Sequence, residues 1–322
     1  LADVQGSAGM ADAALKTVEQ LRLLPQPLRD DPRIDLAEAD AAGESGDPVR
    51  QAEAAGRVVA ASQRLGLHLL EAQGRMALGG ALRTTGNFDQ ALEELETARG
   101  LMADAGNRAG EARAHQGLAL VHLAVGDIEA GIRETDLCLA TAREVGARII
   151  EADALNILGS IEIHQGDFSR AKESFSSALG LHREIGNQSG EADALQNVAL
   201  VEMWSGDFVS AIDSFTQVRE FYRELGRKPS EAAVVMNLAR IEGARGDLDG
   251  ARRLFEEAVG MYRTQENDAA LADALFGLGE VLLTQGDLME ARARHEEALA
   301  IRTQRELPVA MESRFALAGL AL

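Results

Sequence analysis

Metal binding and nucleophilic catalysis are the chemistry that the histidines and the single cysteine of this sequence could perform. Cys138 has no second cysteine with which to form a disulfide, and it lies in no pattern of metal ligands. No two histidines form the His-Glu-x-x-His arrangement that holds zinc on one face of a helix. We therefore predict that the protein binds no metal, that Cys138 is a small packing residue, and that the histidines are packed or partly exposed. The six histidines are His68, His115, His122, His164, His182 and His295.

Acid–base and phosphate chemistry find no supporting arrangement either. The adjacent carboxylates Glu256-Glu257 and Glu296-Glu297 fall on predicted helix surfaces, where no cavity is implied. The run Gly277-Leu278-Gly279 resembles part of a phosphate-binding loop, but no strand precedes it and the third glycine is missing. Neither a Gly-x-Ser-x-Gly motif nor a Walker lysine occurs. The sequence therefore predicts no enzymatic activity and no cofactor.

The elements that would position any functional residue are set by glycines at a fixed spacing. Pairs of glycine with aspartate or asparagine recur every 40 residues, and a second series of turn positions falls midway between them. The pairs are Gly46-Asp47, Gly86-Asn87, Gly126-Asp127, Gly166-Asp167, Gly206-Asp207, Gly246-Asp247 and Gly286-Asp287. The second series is Gly66, Gly106, Gly146, Gly186, Gly226, Glu266 and Glu306. A period of this length with two breaks per unit predicts an all-α solenoid of helical hairpins.

The repeat around Gly166 shows how each hairpin is specified. Apolar residues such as Leu155 and Leu158 recur at steps of three and four, so they share one helix face. Gly166 supplies the left-handed backbone that ends the first helix, and Asp167 caps the second. We expect helices of about 16–18 residues, each about 25 Å long.

The repeats divide the chain into three parts. Residues 1–45 are predicted to be irregular or capping helices, because four of the six prolines lie within the first 48 residues. Residues 46–309 are predicted to be tandem repeats, and residues 310–322 the first helix of a truncated eighth repeat. We expect the chain to be a segment of a longer polypeptide. The uncovered helix would expose Phe315, Leu317, Leu320 and Leu322, which makes self-association a third hypothesis.

The net charge of −20 opposes binding to nucleic acid and to anionic membranes. It favours a basic or neutral protein partner, although solubility alone explains such a charge equally well. No stretch approaches 18 consecutive apolar residues, so no membrane span is predicted. The lone cysteine is compatible with a reducing compartment, and we expect a cytoplasmic location.

The repeat resembles the tetratricopeptide repeat family. Leu158-Gly159, Gly166, Ala171, Phe175 and Ala178 match the Leu-Gly, Gly, Ala, Phe and Ala of its pattern. The usual aromatic in the first helix is replaced by His122, Glu162, Glu202 and Glu242 in successive repeats, and the late proline is missing. The 40-residue form is similar to kinesin light chain, to the spindle adaptor LGN and to the sensors of maltose-activator-type bacterial regulators. This resemblance implies a right-handed α-α superhelix of about seven hairpins plus partial terminal repeats.

In this family the first helices of the hairpins line a concave groove, which implies a partner site here. Asn197 and Asn237 would bond the backbone of an extended peptide, or each would bond a neighbouring helix or water. Trp204 is either a binding anchor or a packing residue between repeats. Asp153, Asp193 and Asp273 would form an acidic stripe, or simply solvated helix starts. The predicted groove residues are Asp153, Asn156, Ser160, Asp193, Gln196, Asn197, Leu200, Met203, Trp204, Met236, Asn237 and Arg240.

Two functions remain open from these observations. The first is a protein-interaction scaffold that binds an extended peptide or a helix in the groove, within a larger bacterial signalling or regulatory protein. The second is the sensory domain of a regulator that binds a small ligand or a signalling peptide. The bacterial context rests on analogy with the family and on a composition rich in Ala, Gly, Arg and Asp.

Overall fold

The computed structural model describes residues 11–305 and 316–317, and it divides the chain into two compact units, Leu1–Gln165 and Gly166–Leu322. All regular structure in the described residues is helical, which confirms the all-α prediction. The predicted truncated repeat at residues 310–322 lies outside the described residues apart from 316–317. Self-association through Phe315, Leu317, Leu320 and Leu322 therefore stays a prediction, and the turn at Glu306 also lies outside the described residues. Within the described part of the chain, no helix is both long and apolar enough to cross a membrane.

Within residues 11–165, the described part of the first unit, there are eight α-helices and one short 3₁₀ helix at Leu28–Asp30. The α-helices pair into the hairpins α2–α3, α4–α5 and α6–α7, and each helix packs on the next. The α-helices are α1 Ala11–Arg22, α2 Pro32–Glu44, α3 Pro48–Leu65, α4 His68–Thr84, α5 Phe88–Asp104, α6 Arg108–Ala124, α7 Ile128–Val145 and α8 Arg148–His164.

Between residues 166 and 305 of the second unit the structure describes seven α-helices, of which six form the hairpins α10–α11, α12–α13 and α14–α15. From α4 to α15 each helix has 17 or 18 residues, as the spacing of the glycines predicts. The helices are α9 Phe168–Ile185, α10 Gln188–Trp204, α11 Phe208–Glu224, α12 Lys228–Arg245, α13 Leu248–Thr264, α14 Asp268–Gln285 and α15 Leu288–Gln304.

The turns lie at the phased positions. Gly166 has a φ of +79°, and every described glycine of the two series also has a positive φ. Glu266, which replaces glycine in the second series, has a φ of 54°, so a side chain is held in a conformation that costs about 1–2 kcal/mol. Asp127 accepts a hydrogen bond from the Ala130 backbone N–H at 3.0 Å, as an N-cap does. The predicted hairpin boundaries are therefore confirmed in the described residues.

Small residues let the helices of each unit approach closely. Ala171 and Ala251 are fully buried at equivalent positions of two second helices, and Cys138 is fully buried in α7. Burial raises the pKa of the Cys138 thiol to about 12, so the residue packs as a small apolar group. In the first unit the first helices of neighbouring hairpins contact one another, whereas the second helices do not make comparable contacts. The first-helix side is therefore the more closely packed side of that unit.

A buried carboxylate explains one departure from the repeat pattern. Glu202, in the position of the usual aromatic, is only 5% exposed. Its two carboxylate oxygens lie 2.8 Å from Lys172 Nζ in α9 and 2.8 Å from the Ser214 hydroxyl in α11, which donates to it. The carboxylate thus joins three helices of the second unit through polar contacts instead of aromatic packing.

Candidate functional site

Two first helices of the second unit carry most of the predicted groove residues. In α10, Asn197, Leu200 and Trp204 follow one another at steps of three and four, so they share a helix face. In α12, Asn237 and Arg240 occupy the positions equivalent to Asn197 and Leu200. We call this surface the α10–α12 face. It consists of Asn197, Leu200, Met203, Trp204, Met236, Asn237 and Arg240.

The two asparagines of the α10–α12 face are half-buried, and their carboxamides have no hydrogen-bond partner among the described residues. Neither side-chain carboxamide makes a hydrogen bond to any described residue, and neither has a fully buried polar atom. A carboxamide can donate two hydrogen bonds and accept two. Both groups therefore keep their full capacity for another molecule or for water, while their role in binding a peptide stays a prediction.

Trp204 and Arg240 are also available on this face. Trp204 is 49% exposed at the last turn of α10, so about half of the residue's surface is open to solvent. Arg240 is exposed, and no carboxylate of the described residues lies within ion-pair distance of its guanidinium. Met236 is different, because it packs partly against the hydrophobic clusters around Tyr262 and Phe255. The face therefore combines hydrogen-bonding, aromatic and cationic groups.

Asp193 does not contribute free negative charge. Arg227, at the start of α12, donates to Asp193 Oδ1 at 2.7 Å, and its guanidinium lies 4.7 Å from the centre of the Tyr222 ring. The Tyr222 hydroxyl lies 2.9 Å from Asp193 Oδ1 and 3.0 Å from Gln196 Oε1. Burial, followed by the negative charge of Asp193, raises the pKa of Tyr222, so its hydroxyl stays a donor. Asp193 and Gln196 are thus committed to contacts within the second unit.

Asp273 is paired in the same way two repeats later. Arg302, which is only 2% exposed, donates from Nη2 to Asp273 Oδ1 at 2.8 Å. Its guanidinium also lies 5.1 Å from the centre of the Phe276 ring, in the geometry of a cation–π contact. The predicted acidic stripe is therefore wrong at Asp193 and Asp273, because an arginine neutralises each carboxylate. The uncompensated charge on the α10–α12 face is instead the positive charge of Arg240.

The three remaining predicted residues lie in the other unit, on α8. Asp153 and Asn156 are half-buried, and Ser160 is exposed with its hydroxyl donating to the Asn156 backbone carbonyl at 3.0 Å. The side-chain Oδ1 of Asn156 is buried and has no hydrogen-bond partner among the described residues. These residues belong to the first unit and are not part of the α10–α12 face.

The sequence prediction missed the partners of the groove aspartates. Tyr222 and Arg302 each lie 29 positions after the aspartate that they contact. A search for charged or hydroxyl-bearing residues at that offset could have found both pairs, since the repeats have no insertions. Arg227 carries no such regular signal, because the contact depends on the turn that leads into α12.

Comparison with known proteins identifies the repeat and the fold. Sequence profiles of the tetratricopeptide repeat match residues 190–264 and 230–304, and another profile of the same description matches residues 152–184. No curated protein sequence gives a match to the chain.

Three solved structures illustrate the similarity in fold. One is a Signal Transduction ATPase with Numerous Domains (STAND) protein from Pyrococcus horikoshii that has a tetratricopeptide repeat sensor. It superposes with a TM-score of 0.72 at 15% sequence identity, and the alignment covers 98% of this chain and 49% of that one. A Rap protein in complex with Competence and Sporulation Factor gives 0.64 at 16% identity, covering 98% and 94%. BtubC from P. vanneervenii gives 0.60 at 21% identity, covering 69% and 91%. The chain spans about half the length of the STAND protein.

Proposed function

We propose that this chain, which contains tetratricopeptide repeats at residues 152–184 and 190–304, is an interaction module whose second unit binds an extended peptide along the α10–α12 face. The family profiles, together with the fold shared with a Rap protein and with a STAND protein, support a protein-interaction or regulatory sensor domain. The Rap protein was solved with a bound factor, which is consistent with ligand binding on this fold.

The observation that carries the proposal is the pair of uncommitted carboxamides, Asn197 and Asn237. They occupy the same position in helices 40 residues apart and make no hydrogen bond to the described residues. Each peptide unit of an extended chain has one N–H donor and one carbonyl acceptor. A carboxamide can satisfy both groups whatever the side chain of the ligand is, so two in register favour backbone recognition.

The rest of the α10–α12 face supplies anchoring groups. Trp204, 49% exposed, offers a large flat surface at low entropic cost, and Leu200 and Met203 are half-buried around it. Arg240 would favour a carboxylate or a carbonyl oxygen of the peptide. Because the aspartates are already paired, the proposal does not require a basic ligand.

Selection of a random library of dodecapeptides on the full chain tests this function. We expect the selected peptides to lose about 2 kcal/mol of binding free energy in the Asn197→Ala/Asn237→Ala variant, since each lost hydrogen bond contributes about 1 kcal/mol. Fluorescence anisotropy with the labelled peptide measures the affinity. Methylation of single backbone nitrogens of the peptide should abolish the effect of one asparagine, in a double-mutant cycle.

The matched control is Ser176→Ala/Gln217→Ala, which changes two exposed polar residues on second helices of the same unit. This variant should bind the peptide as the parent protein does. Equal affinity of the asparagine variant and the parent protein, with unchanged melting temperature, would remove the proposed face. A rise in melting temperature with small metabolites, in the absence of any asparagine-dependent peptide, would favour the sensor function instead.

A further inference from the structure

His295 in α15 occupies a position that the other repeats of the second unit fill with phenylalanine. At intervals of 40 residues before it, the equivalent residues are Phe255, Phe215 and Phe175, and none of them is more than 4% exposed. His295 is buried as completely, with 0% of its surface exposed. The last described hairpin therefore holds, in place of an apolar ring, a ring that can take up a proton.

The imidazole of His295 lies against α14, the helix on which α15 packs. A Cβ at Gly279 would lie 2.6 Å from His295 Cε1, so the ring fills the space that a side chain on α14 would need. The ring of Phe276 meets the imidazole edge to face, with ring centres 5.1 Å apart. These are the contacts of a neutral aromatic ring in a packed interior.

The polar atoms of this ring are not satisfied within the described part of the protein. Neither ring nitrogen of His295 has a hydrogen-bond partner among the described residues. Glu280 Oε1 lies 3.2 Å from Nε2, but the two groups are not aligned for a hydrogen bond. Phenylalanine at this position would need no partner, so the histidine costs stability even when it is neutral.

The charged groups around the ring do not compensate a proton on it. Glu280 and Arg302 are the charged side chains of α14 and α15 that act on His295. Glu280 is 50% exposed, so water screens its carboxylate. Arg302 is 2% exposed, lies over the Phe276 ring that His295 also contacts, and is paired with Asp273 at 2.8 Å. An imidazolium here would thus meet a buried cation and a screened carboxylate.

These surroundings set the direction of the pH dependence. Burial lowers the pKa of His295 below its ordinary value of 6.5, Glu280 opposes this shift and Arg302 adds to it. In the unfolded chain the imidazole takes up a proton near that ordinary value. Because the unfolded state then binds more protons, the hairpin keeps its stability above about pH 6.5 and loses it as the pH falls further.

We propose that His295 is an acid-sensitive switch, which opens the contact between α14 and α15 when its ring takes up a proton. The charged ring leaves its place against Gly279 to reach water, since a buried charge without a partner is costly, and the two helices separate there. The hairpins α10–α11 and α12–α13 hold Phe215 and Phe255 at the same position. Phenylalanine takes up no proton, so the opening is confined to α14–α15.

Hydrogen exchange of the full chain, followed by mass spectrometry at about pH 7.5 and about pH 5.5 and corrected for intrinsic rates, tests the switch. We expect peptides from residues 268–304 to exchange at least about tenfold faster at the lower pH, and peptides from residues 208–264 to change by less than about twofold. His295→Phe should abolish the difference. Equal acceleration in residues 208–264 of the parent protein, or acceleration of α14–α15 in His295→Phe, would overturn the proposal.

Two further variants separate protonation from the loss of a histidine. His295→Gln keeps a polar side chain that does not titrate in this range, so it should weaken protection of α14–α15 equally at both pH values. His164→Gln, at an exposed position of α8, should behave as the parent protein does. Acid sensitivity that persists in His295→Gln, or that disappears in His164→Gln, would contradict the assignment to His295.

Glu280→Gln tests the charge on the ring at an exposed position that should not disturb folding. The carboxylate, 3.2 Å from Nε2, favours the protonated ring. Its removal should therefore enlarge the loss of protection at about pH 5.5 by about twofold or more, and leave exchange at about pH 7.5 unchanged. Disappearance of the acid sensitivity in this variant would mean that Glu280 takes up the proton, and would disprove the switch.

Discussion

The hairpin α6–α7 in the first unit and the hairpin α14–α15 in the second each carry a charged residue at the same first-helix position, but only in α14–α15 does the second helix pair with that charge. Arg113 and Asp273 occupy equivalent positions of α6 and α14. At the position 29 residues after Asp273, the second helix carries Arg302, which pairs with the carboxylate at 2.8 Å. At the position 29 residues after Arg113, it carries Ala142, which is fully buried and too short to reach a guanidinium.

This difference shows what decides whether a groove charge is available to a partner. The hairpin α10–α11 resembles α14–α15, because Tyr222 lies 29 positions after Asp193 and its hydroxyl is 2.9 Å from the carboxylate. A long polar residue in the second helix binds the first-helix charge within the fold. A small residue leaves that charge for another molecule, as at Arg113.

Among these substitutions, replacement of Arg302 should change the free energy of unfolding the most. Arg302→Ala removes a side chain that is 2% exposed, leaves Asp273 without its counter-charge and loses the stacking on Phe276. We expect the free energy of unfolding to fall by about 3 kcal/mol, at the lower end for a broken buried pair because Asp273 is 46% exposed. Urea denaturation followed by circular dichroism measures it.

Arg292→Ala in the same helix is the control for that measurement. Arg292 pairs with Glu296 at 3.2 Å, but the two side chains are 50% and 60% exposed. Its loss should therefore change the free energy of unfolding by less than about 0.5 kcal/mol. Similar losses in the two variants would show that the Arg302 pair does not stabilise its hairpin.

An intermediate effect is expected at Tyr222, where the hydroxyl alone makes the contact. Tyr222→Phe should lower the free energy of unfolding by about 1.5 kcal/mol, since a hydrogen bond to a charged group is lost while Arg227 still holds Asp193. Tyr262 is the matched control, because it lies at the equivalent position and its hydroxyl bonds no described residue. Tyr262→Phe should cost less than about 0.5 kcal/mol. A larger loss for Tyr262 than for Tyr222 would contradict the comparison.

The smallest change in the free energy of unfolding, and the one that increases it, is expected in the turn that leads into α14. Glu266→Gly should raise the free energy of unfolding by about 1 kcal/mol, because glycine adopts the φ of 54° without steric cost. The reverse change at the equivalent turn, Gly226→Ala at a φ of 68°, should lower it by a similar amount. Thermal unfolding of both variants measures the pair, and a destabilised Glu266 variant would show that its side chain makes compensating contacts.

The sequence specifies the hairpins well because the signals for turns and caps are local. A positive φ favours glycine wherever the turn lies, and Asp127 or Asn107 caps the helix that follows it within three residues. Since no insertion interrupts the 40-residue period, the same rules hold in every repeat. Glu266, which replaces glycine in the second series, also adopts a positive φ at the position that the 40-residue period predicts for a turn.

The pairing of groove charges could not be predicted in the same way. Whether Asp193 is free depends on how α11 and the start of α12 are rotated against α10, which places Tyr222 and Arg227 beside it. Rotation is set by packing of buried residues such as Phe215, and no single local pattern reports it. For Trp204 the sequence leaves packing between repeats and a role as a binding anchor open, and only the structure shows that the side chain is 49% exposed.

Trp204 gives this protein a built-in optical probe. It is the only tryptophan in the chain and is 49% exposed, so the intrinsic emission excited near 295 nm, where tyrosine contributes little, comes from a single place. Acrylamide or iodide should quench that emission in the free protein, and a molecule seated over the ring should shield it and shift the spectrum to the blue. Occupancy of one surface of the second unit can thus be followed without any dye.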